Sequence, residues 1–308
     1  MKTAIIGAGG IGGYLGAKLL GADRPVTLIA RGAHLQAIRE RGLRLSEPQG
    51  DVTVRPEITD DPSKARKADL VILAVKGQDL PAAIEAARPM VTEGTRVLPF
   101  QNGVEAAGMV ADAYGSDAAL IGVARIFVNI TAPGVVTRYG DLRSFTIGDA
   151  QGRQDDSFFA GLRATLADAG VEVPEVADVR VDQWTKFLLF NALSSLTAAA
   201  RTRLGTIQQT PELWAMVEGL VAETAAVARA RGVPLPDDAE HKVTNAISRM
   251  PADTRASTAH DLEQGKPLEI DWFCGAVARL GLVSGVDTPL SRACHAILSP
   301  WKDGRPAA

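Results

Sequence analysis

The chain has 308 residues and a mass of 32.4 kDa, more than one hydrophobic core usually organises, so its length favours two domains. Hydrophobic residues make up 46% of it and charged residues 22%, a globular composition that excludes the disordered and fibrous classes. Because 33 basic residues face 36 acidic ones, no overall charge attracts nucleic acid or an anionic membrane.

The cysteines and the amino terminus narrow the class further. Cys274 and Cys294 form no CxxC pair and do not cluster with the histidines, so no metal site is predicted. The apolar run at the amino terminus is too short to cross a membrane and has no small-residue cleavage signature. We therefore expect a cytoplasmic protein.

The first predicted elements are a strand, a tight turn and a helix. The strand is the apolar run Thr3–Ile6, and apolar residues at helical spacing follow over Ile11–Leu20. The turn has a GxGxxG pattern, in which glycines allow the turn, the approach of a pyrophosphate and close packing of the helix on the strand. The N–H groups at the helix start then bind the anion. The pattern predicts cofactor contacts from Gly7, Gly9, Gly10, Ile11 and Gly12.

The second predicted strand, Pro25–Ala30, lies at the distance expected within a mononucleotide-binding unit. Folds that prefer NAD often have an acidic residue after this strand to bind the ribose hydroxyls, whereas this chain has Arg31. A guanidinium suits the 2′-phosphate of NADP and can stack on the adenine. Arg31 therefore favours NADP over NAD; the alternative is an arginine that only meets solvent.

Two more apolar runs, Asp69–Val75 and Arg96–Phe100, are typical of buried parallel strands. Ligands of open α/β sheets bind beyond the carboxyl ends of the strands, where Lys76 and Asn102 follow these two runs. We predict that both residues border the cofactor and that Asn102 also meets the substrate. Their residue types alone are equally compatible with a solvated loop lysine and a generic turn.

The rest of the first half predicts a Rossmann-type α/β domain over residues 1–177. Leu120–Val128 and Val135–Gly148 are expected to form a hairpin that gives the sheet a mixed end. An amphipathic helix is predicted over Asp155–Ala169, and a last short strand over Val171–Val176.

Helical patterns dominate the second half, and an all-α domain is predicted over residues 178–308. Its first helix begins at Val181 and is apolar on nearly every side, so burial of Lys186 needs a compensating charge or ligand. Alternatively, Lys186 extends its ammonium to solvent. Further helices are predicted at Glu212–Arg231, Asp238–Arg249, from Glu269 through Leu280, and at Pro289–Leu298.

Several motifs occur in an order that resembles a known family: Gly7-x-Gly9-x-x-Gly12, Arg31, Lys76, Gln101-Asn102-Gly103, Trp184-x-Lys186, Ser257-x-x-x-Asp261 and Leu268-Glu269-Ile-Asp271. Together they resemble the 2-dehydropantoate 2-reductases (ketopantoate reductases) over nearly the whole chain. The resemblance implies a 6-phosphogluconate-dehydrogenase-like fold, NADPH as the cofactor and a role in pantothenate biosynthesis. The implied activity is that of an oxidoreductase that converts a small 2-oxo acid to the 2-hydroxy acid.

The resemblance also implies roles for individual residues. Lys186 is expected to be the general acid and Glu269 to face it and orient the substrate. Ser257 is expected to contact the substrate carboxylate, while Asn191 and Ser194 are the remaining candidate substrate contacts on the Lys186 helix.

One departure concerns the substrate. The family commonly has asparagine four and eight residues after the lysine, where this chain has Phe190 and Ser194. Asn191 is one residue away, which rotates its side chain by about 100° around the helix. A pocket with fewer hydrogen-bond donors suits a more apolar 2-oxo acid or ketone.

Two alternatives remain open at this stage. The first is a related dehydrogenase that acts on a different carbonyl, alcohol or imine, and the second is a catalytically inactive NADPH-binding sensor. In each case we expect a small-molecule ligand, no nucleic acid and no membrane, and a homodimer is compatible with the resemblance.

Overall fold

The computed structural model describes residues 1–305, so the last three residues of the predicted helical domain lie outside the described part of the chain. The chain divides into two compact units. The first consists of Met1–Gln101 and Ala106–Val179, and the second of Asn102–Glu105 and the chain from Arg180 onward.

The first unit contains two β-sheets. One has five parallel strands in the order β5-β2-β1-β6-β7, and the other has four strands in the order β4-β3-β9-β8. The strands are β1 (Thr3–Ile6), β2 (Val26–Ile29), β3 (Leu43–Ser46), β4 (Val52–Val54), β5 (Glu57–Thr59), β6 (Leu70–Leu73), β7 (Arg96–Pro99), β8 (Leu120–Ala132) and β9 (Val135–Asp149). The helices are α1 (Gly10–Gly21), α2 (Gly32–Arg41), α3 (Leu80–Ala87), α4 (Ala106–Tyr114) and α5 (Ser157–Asp168).

The parallel sheet confirms the predicted Rossmann-type fold. The expectation that this sheet ends mixed is wrong, because the β8–β9 hairpin belongs to the second sheet, where β9 pairs in parallel with β3. The two long hairpin strands satisfy each other's backbone groups, and Ala119, just before β8, forms an isolated parallel bridge with Val97 of β7.

The last predicted strand of the first unit, Val171–Val176, does not form. Only an isolated bridge between Ser144 and Glu172 is present. Pro174 lies in this run and has no N–H group to donate to a β-ladder, which explains why an apolar run fails to become a strand.

The second unit is helical, as predicted. Its helices are α6 (Val179–Ala199), α7 (Leu204–Gln209), α8 (Pro211–Ala230), α9 (Ala239–Ser248), α10 (Ser257–Glu263), α11 (Cys274–Ser284) and α12 (Pro289–Leu298). One continuous hydrophobic core joins α6, α8 and α11 through buried side chains such as Phe187, Leu220 and Val277. Among residues 1–305, no helix is both long enough and apolar enough to cross a membrane.

A buried ion network links α1 to β9 in the first unit. The guanidinium of Arg138 on β9 has no exposed side-chain surface and donates to Glu47 at 3.1 Å, to Gln49 and to the Gly140 carbonyl. Lys18 on α1 donates to the same Glu47 carboxylate at 3.0 Å. Burial raises the pKa of Glu47, but the bonds from Lys18 and Arg138 outweigh burial and lower it overall. Glu47 therefore remains a carboxylate that links α1 to β9.

Replacement of this carboxylate should destabilise the first unit strongly. Glu47→Ala leaves the Arg138 charge buried without its main partner, and we expect the free energy of unfolding to fall by about 3–5 kcal/mol. Urea unfolding followed by circular dichroism measures the change. Glu40→Ala removes an exposed carboxylate on α2 and is the control, with an expected change of about 0.5 kcal/mol or less. Equal losses in the two variants would contradict a structural role for the network.

Candidate active site

The glycine turn between β1 and α1 allows an unusually close approach of helix and strand. Gly7 has a φ angle of +96°, a conformation that favours glycine. A Cβ atom on Gly12 would lie 1.9 Å from the carbonyl oxygen of Gly7 and 3.0 Å from the side chains of Ile5 and Ala74. The backbone of α1 can therefore lie directly on β1 only because Gly12 has no side chain.

The start of α1 has the features of an anion-binding site. Gly9 is the N-cap, no side chain among residues 1–305 caps this helix end, and the first turn has no acidic residue. A Cβ on Gly9 would have no atom of the described chain within 4 Å. An uncapped helix start with the positive end of the helix dipole, beside a glycine with open space at its Cβ position, has the features of a phosphate-binding site.

The other two residues predicted at this turn have packing roles. A Cβ on Gly10 would lie 2.6 Å from the carbonyl oxygen of Val128, so this glycine lets β8 approach the helix start. Ile11 is half-buried and packs against the core of the first unit. Their positions account for both residue types without a ligand.

Arg31 lies at the same edge of the parallel sheet as the glycine turn. Ile6 at the end of β1 pairs with Ile29 at the end of β2, and Arg31 follows as the exposed N-cap of α2. A guanidinium in this position is accessible to a ligand that extends from the start of α1 across the ends of the two strands.

Lys76 also lies beyond the carboxyl ends of the strands. Leu73 at the end of β6 pairs with Ile6 on one side and Pro99 on the other. Lys76 is exposed at the start of a short turn, and the nearby Gln101 donates to the carbonyl oxygens of Leu73 and Val75 at 3.0 and 2.9 Å. Gln101 thus ties the end of β7 to that of β6, a positioning role that sequence patterns did not indicate.

In the second unit, Lys186 and Asn102 are brought together. The Nζ atom of Lys186 donates a hydrogen bond to Oδ1 of Asn102 at 3.0 Å. The same ammonium lies 4.9 Å from the centroid of the Phe190 ring, one helical turn further along α6. Lys186 is half-buried, so an amide oxygen and an aromatic face both stabilise its positive charge.

The segment that carries Asn102 is anchored to the helices of the second unit. Gln183 on α6 donates to the carbonyl oxygen of Gly103 at 3.3 Å, and Arg279 on α11 forms an ion pair with Glu105 at 2.7 Å. These contacts hold residues 102–105 against α6 and α11, and they fix the backbone from which Asn102 reaches Lys186.

Asn191 lies in the helical core. It is fully buried, its Nδ2 donates to Oγ1 of Thr224 on α8 at 3.0 Å, and its Oδ1 accepts from Ser195 at 3.1 Å. Both ends of the amide are therefore used inside the core: Nδ2 joins α6 to α8, and Oδ1 is bonded within α6. Ser194 is only 2% exposed. Neither side chain is therefore accessible to a ligand in this structure.

Glu269 and Ser257 lie at the start of short elements of the second unit. Glu269 is half-buried and precedes the 3-10 turn Ile270–Trp272, and α11 begins only at Cys274. The predicted helix start at Glu269 is therefore wrong by one turn, because the chain first makes this tighter turn. Ser257 is the exposed first residue of α10.

The cysteines take no part in this arrangement. Burial raises the pKa of Cys274 to about 11 and that of Cys294 to about 12, so both are inert thiols at neutral pH. Within residues 1–305, no three His, Cys, Asp or Glu side chains are grouped so that they could hold a metal ion.

The chain matches two models of one family. The model described as ketopantoate reductase PanE/ApbA matches residues 3–152, and that of the PanE/ApbA C-terminal region matches residues 178–301. A 2-dehydropantoate 2-reductase of Mesorhizobium japonicum is 30% identical over 97% of this chain and 97% of its own length. These matches confirm the resemblance inferred from the motifs.

Solved structures agree with this assignment. The PanE/ApbA family ketopantoate reductase from Ralstonia eutropha JMP134 has a TM-score of 0.88 and 35% identity, with 98% of each chain covered. The 2-dehydropantoate 2-reductase from Geobacter metallireducens GS-15 has a TM-score of 0.87 and 26% identity, covering 97% of this chain and 99% of its own. The chain therefore belongs to the ketopantoate reductase family PanE/ApbA.

Proposed function

We propose that this protein is an NADPH-dependent oxidoreductase that reduces 2-dehydropantoate (ketopantoate), or a related small 2-oxo acid, to the 2-hydroxy acid. The observation that carries the proposal is the half-buried ammonium of Lys186, held by Asn102 in a chain of the ketopantoate reductase family. Reduction of ketopantoate would place the protein in pantothenate biosynthesis.

The glycine turn fits a dinucleotide. Gly9 offers backbone N–H groups and open space to the pyrophosphate, and Gly7 and Gly12 allow the tight approach that this requires. Arg31 would bind the 2′-phosphate, and Lys76 and Asn102 would border the nicotinamide. When bound, NADPH supplies the hydride that reduces the carbonyl carbon.

Lys186 would supply the proton. As the ketone is reduced, negative charge develops on its oxygen, and a nearby ammonium stabilises that charge and protonates the oxygen. The hydrogen bond to Asn102 and the Phe190 ring restrict where the ammonium lies, so less reorganisation is needed during the reaction. A half-buried position also strengthens the interaction, because less water screens it.

We propose Glu269 as the residue that orients the substrate, and Ser257 as a donor to its carboxylate. Ser257 is exposed at the start of α10, so its hydroxyl is accessible. Asn191 and Ser194 are left out, because both are buried and the Asn191 amide is used within the core.

The division of labour follows from these assignments. Residues 1–177 would bind NADPH, and residues 178–308 would carry the substrate-binding and catalytic side chains. We further propose a cytoplasmic location, a homodimeric assembly and no nucleic-acid partner.

Replacement of Lys186 tests the reaction directly. We expect purified protein to oxidise NADPH in the presence of ketopantoate, and Lys186→Ala to lower the turnover by about 10²-fold or more. NADPH affinity should stay the same, because the cofactor turn lies in the other unit. Absorbance of NADPH measures turnover, and fluorescence titration measures binding.

Lys242→Ala, which removes an exposed lysine on α9, is the matched control and should keep the full rate. An unchanged rate in Lys186→Ala would remove Lys186 from the mechanism. If the wild-type protein reduces only other carbonyls, the first alternative is correct. If it binds NADPH but no carbonyl compound causes NADPH to be oxidised, the protein is a sensor.

Arg31 should determine the cofactor preference. Arg31→Ala removes a charge-assisted contact to the 2′-phosphate, so we expect NADPH affinity to fall by roughly 10-fold to 100-fold while NADH affinity changes little. Fluorescence titration with both cofactors gives the two ratios. Arg41→Ala, at the exposed end of α2, should leave both affinities unchanged. Equal losses for NADPH and NADH in Arg31→Ala would show that this arginine does not read the phosphate.

Phe190 favours a substrate without polar groups beyond the keto acid. The ring next to the Lys186 ammonium offers no hydrogen-bond donor, whereas ketopantoate has a hydroxyl that 2-oxoisovalerate lacks. We expect Phe190→Asn to raise the ratio of kcat/KM for ketopantoate over 2-oxoisovalerate by about 10-fold. Phe190→Leu removes the ring without adding an amide and should keep the ratio. A ratio that does not respond to asparagine would mean that residue 190 does not contact the substrate chain.

A further inference from the structure

The imidazole of His34 joins two loops of the first unit. His34 lies in the first turn of α2, and its Nε2 atom is 2.8 Å from the carbonyl oxygen of Ala8. Its Nδ1 atom accepts a hydrogen bond of 3.0 Å from the backbone N–H of Gly134. Ala8 lies between the first two glycines of the cofactor turn, and Gly134 lies in the turn between β8 and β9. Neither nitrogen of the ring is left for another partner.

The two contacts determine the protonation of the ring. A backbone N–H can only donate, so Nδ1 must accept the bond from Gly134 and carry no proton. The proton of the neutral imidazole is then on Nε2, which donates to the Ala8 carbonyl. A protonated imidazole would direct a second N–H at the N–H of Gly134, so only the neutral ring satisfies both loops.

The direction of the Ala8 carbonyl also fixes the direction of the Gly9 N–H group. In a planar trans peptide, the C=O of Ala8 and the N–H of Gly9 point in opposite directions. A hydrogen bond from His34 to that oxygen therefore turns the Gly9 N–H away from α2. Gly9 is the N-cap of α1 and has open space beside it.

We propose that His34 is a positioning residue for the dinucleotide: it orients the Ala8–Gly9 peptide so that the Gly9 N–H binds the pyrophosphate. The inference rests on the cofactor site proposed above and adds a residue outside the GxGxxG motif. It acts through the backbone and does not touch the ligand.

We call the two hydrogen bonds of the His34 ring the His34 bridge. Its Gly134 end is held in place by the second sheet. The carbonyl oxygen of Gly134 accepts a hydrogen bond of 2.9 Å from the N–H of Arg44, next to β9 in the second sheet. The turn that contacts His34 is thus tied to a sheet. His34 connects the glycine turn, whose residues have few side-chain atoms to fix their backbone, to that sheet.

The bridge should be sensitive to acid. Burial lowers the pKa of His34 from 6.5, and the bond to Ala8 opposes this only in part. The glycine turn and residues 132–135 have no ionisable side chain. The adjacent elements carry these charged groups: Arg31, Arg39, Glu40 and Arg41 at α2, Arg44 on β3, Lys18 on α1, Arg125 on β8, and Arg138, Asp141, Arg143 and Asp149 on β9. Arg39 is paired to Asp60 and Arg44 to Asp51. The contribution of the neutral ring is therefore present above pH 6.5 and is lost as the pH falls below that value.

Two substitutions and two cofactors test the proposal. His34→Ala removes the bond to Ala8, and we expect the affinities for NADPH and NADH to fall by the same factor of about 5-fold to 10-fold. The losses should be equal because both cofactors have the pyrophosphate, in contrast to those of Arg31→Ala. His34→Gln keeps an amide N–H that can donate to Ala8, so its affinities should stay within about 2-fold of wild type. His241→Ala, which removes an exposed histidine on α9, is the control.

NADH affinity measured as a function of pH gives an independent readout. It needs no variant that lacks the hydrogen bond from residue 34 to Ala8. NADH is the probe, because it lacks the 2′-phosphate, which itself titrates near a pKa of about 6. As the pH is lowered from about 7.5 through and below 6.5, until the ring with its lowered pKa is protonated, the affinity of wild-type protein should fall more than that of His34→Gln, whose amide does not titrate. Parallel profiles would overturn the proposal, as would equal losses in His34→Ala and His34→Gln or an unchanged affinity in His34→Ala. If wild-type protein binds neither cofactor, the proposed function fails instead.

Discussion

The first unit of this protein depends on the absence of one side chain. A Cβ atom on Gly12 would lie 1.9 Å from the carbonyl oxygen of Gly7, so any other residue would force α1 away from β1. The close packing aims the start of α1 at the edge of the sheet where β1, β2 and β6 end. Arg31 and Lys76 follow two of those strands, and His34 reaches back from α2 to the turn itself. All of these positions depend on the close packing of α1 on β1.

The helical half has to accommodate a lysine in an apolar helix. An ammonium that is removed from water without a partner costs several kcal/mol, by order of magnitude, and would favour its neutral form. In this protein one partner is Asn102, which follows β7 in the chain but packs with the helices. The four-residue segment 102–105 therefore delivers a polar group from the end of a strand to the side of α6. The proposed acid and its orienting amide consequently form one unit.

Two kinds of polar burial occur in the molecule and have different consequences. The Arg138–Glu47–Lys18 network and the Asn191–Thr224 pair are satisfied internally, so they join elements and offer nothing to a ligand. The Lys186–Asn102 pair is only half-buried, so its polar atoms remain partly accessible from solvent. Burial and satisfaction, rather than residue type, separate structural polar groups from candidate functional ones.

The sequence by itself determined those features that depend on neighbours along the chain. These are the glycine turn, the buried strands that precede Lys76 and Asn102, the long apolar helix around Lys186, and the motif order that identified the family. Only the tertiary structure decided which side chains meet across long separations. It moved the β8–β9 hairpin into a second sheet, turned Asn191 into the core, placed Phe190 against Lys186 and set His34 between two distant turns. The physical reason is that local spacing specifies which face of an element is apolar, whereas pairing partners and the direction of a buried amide follow from how elements pack.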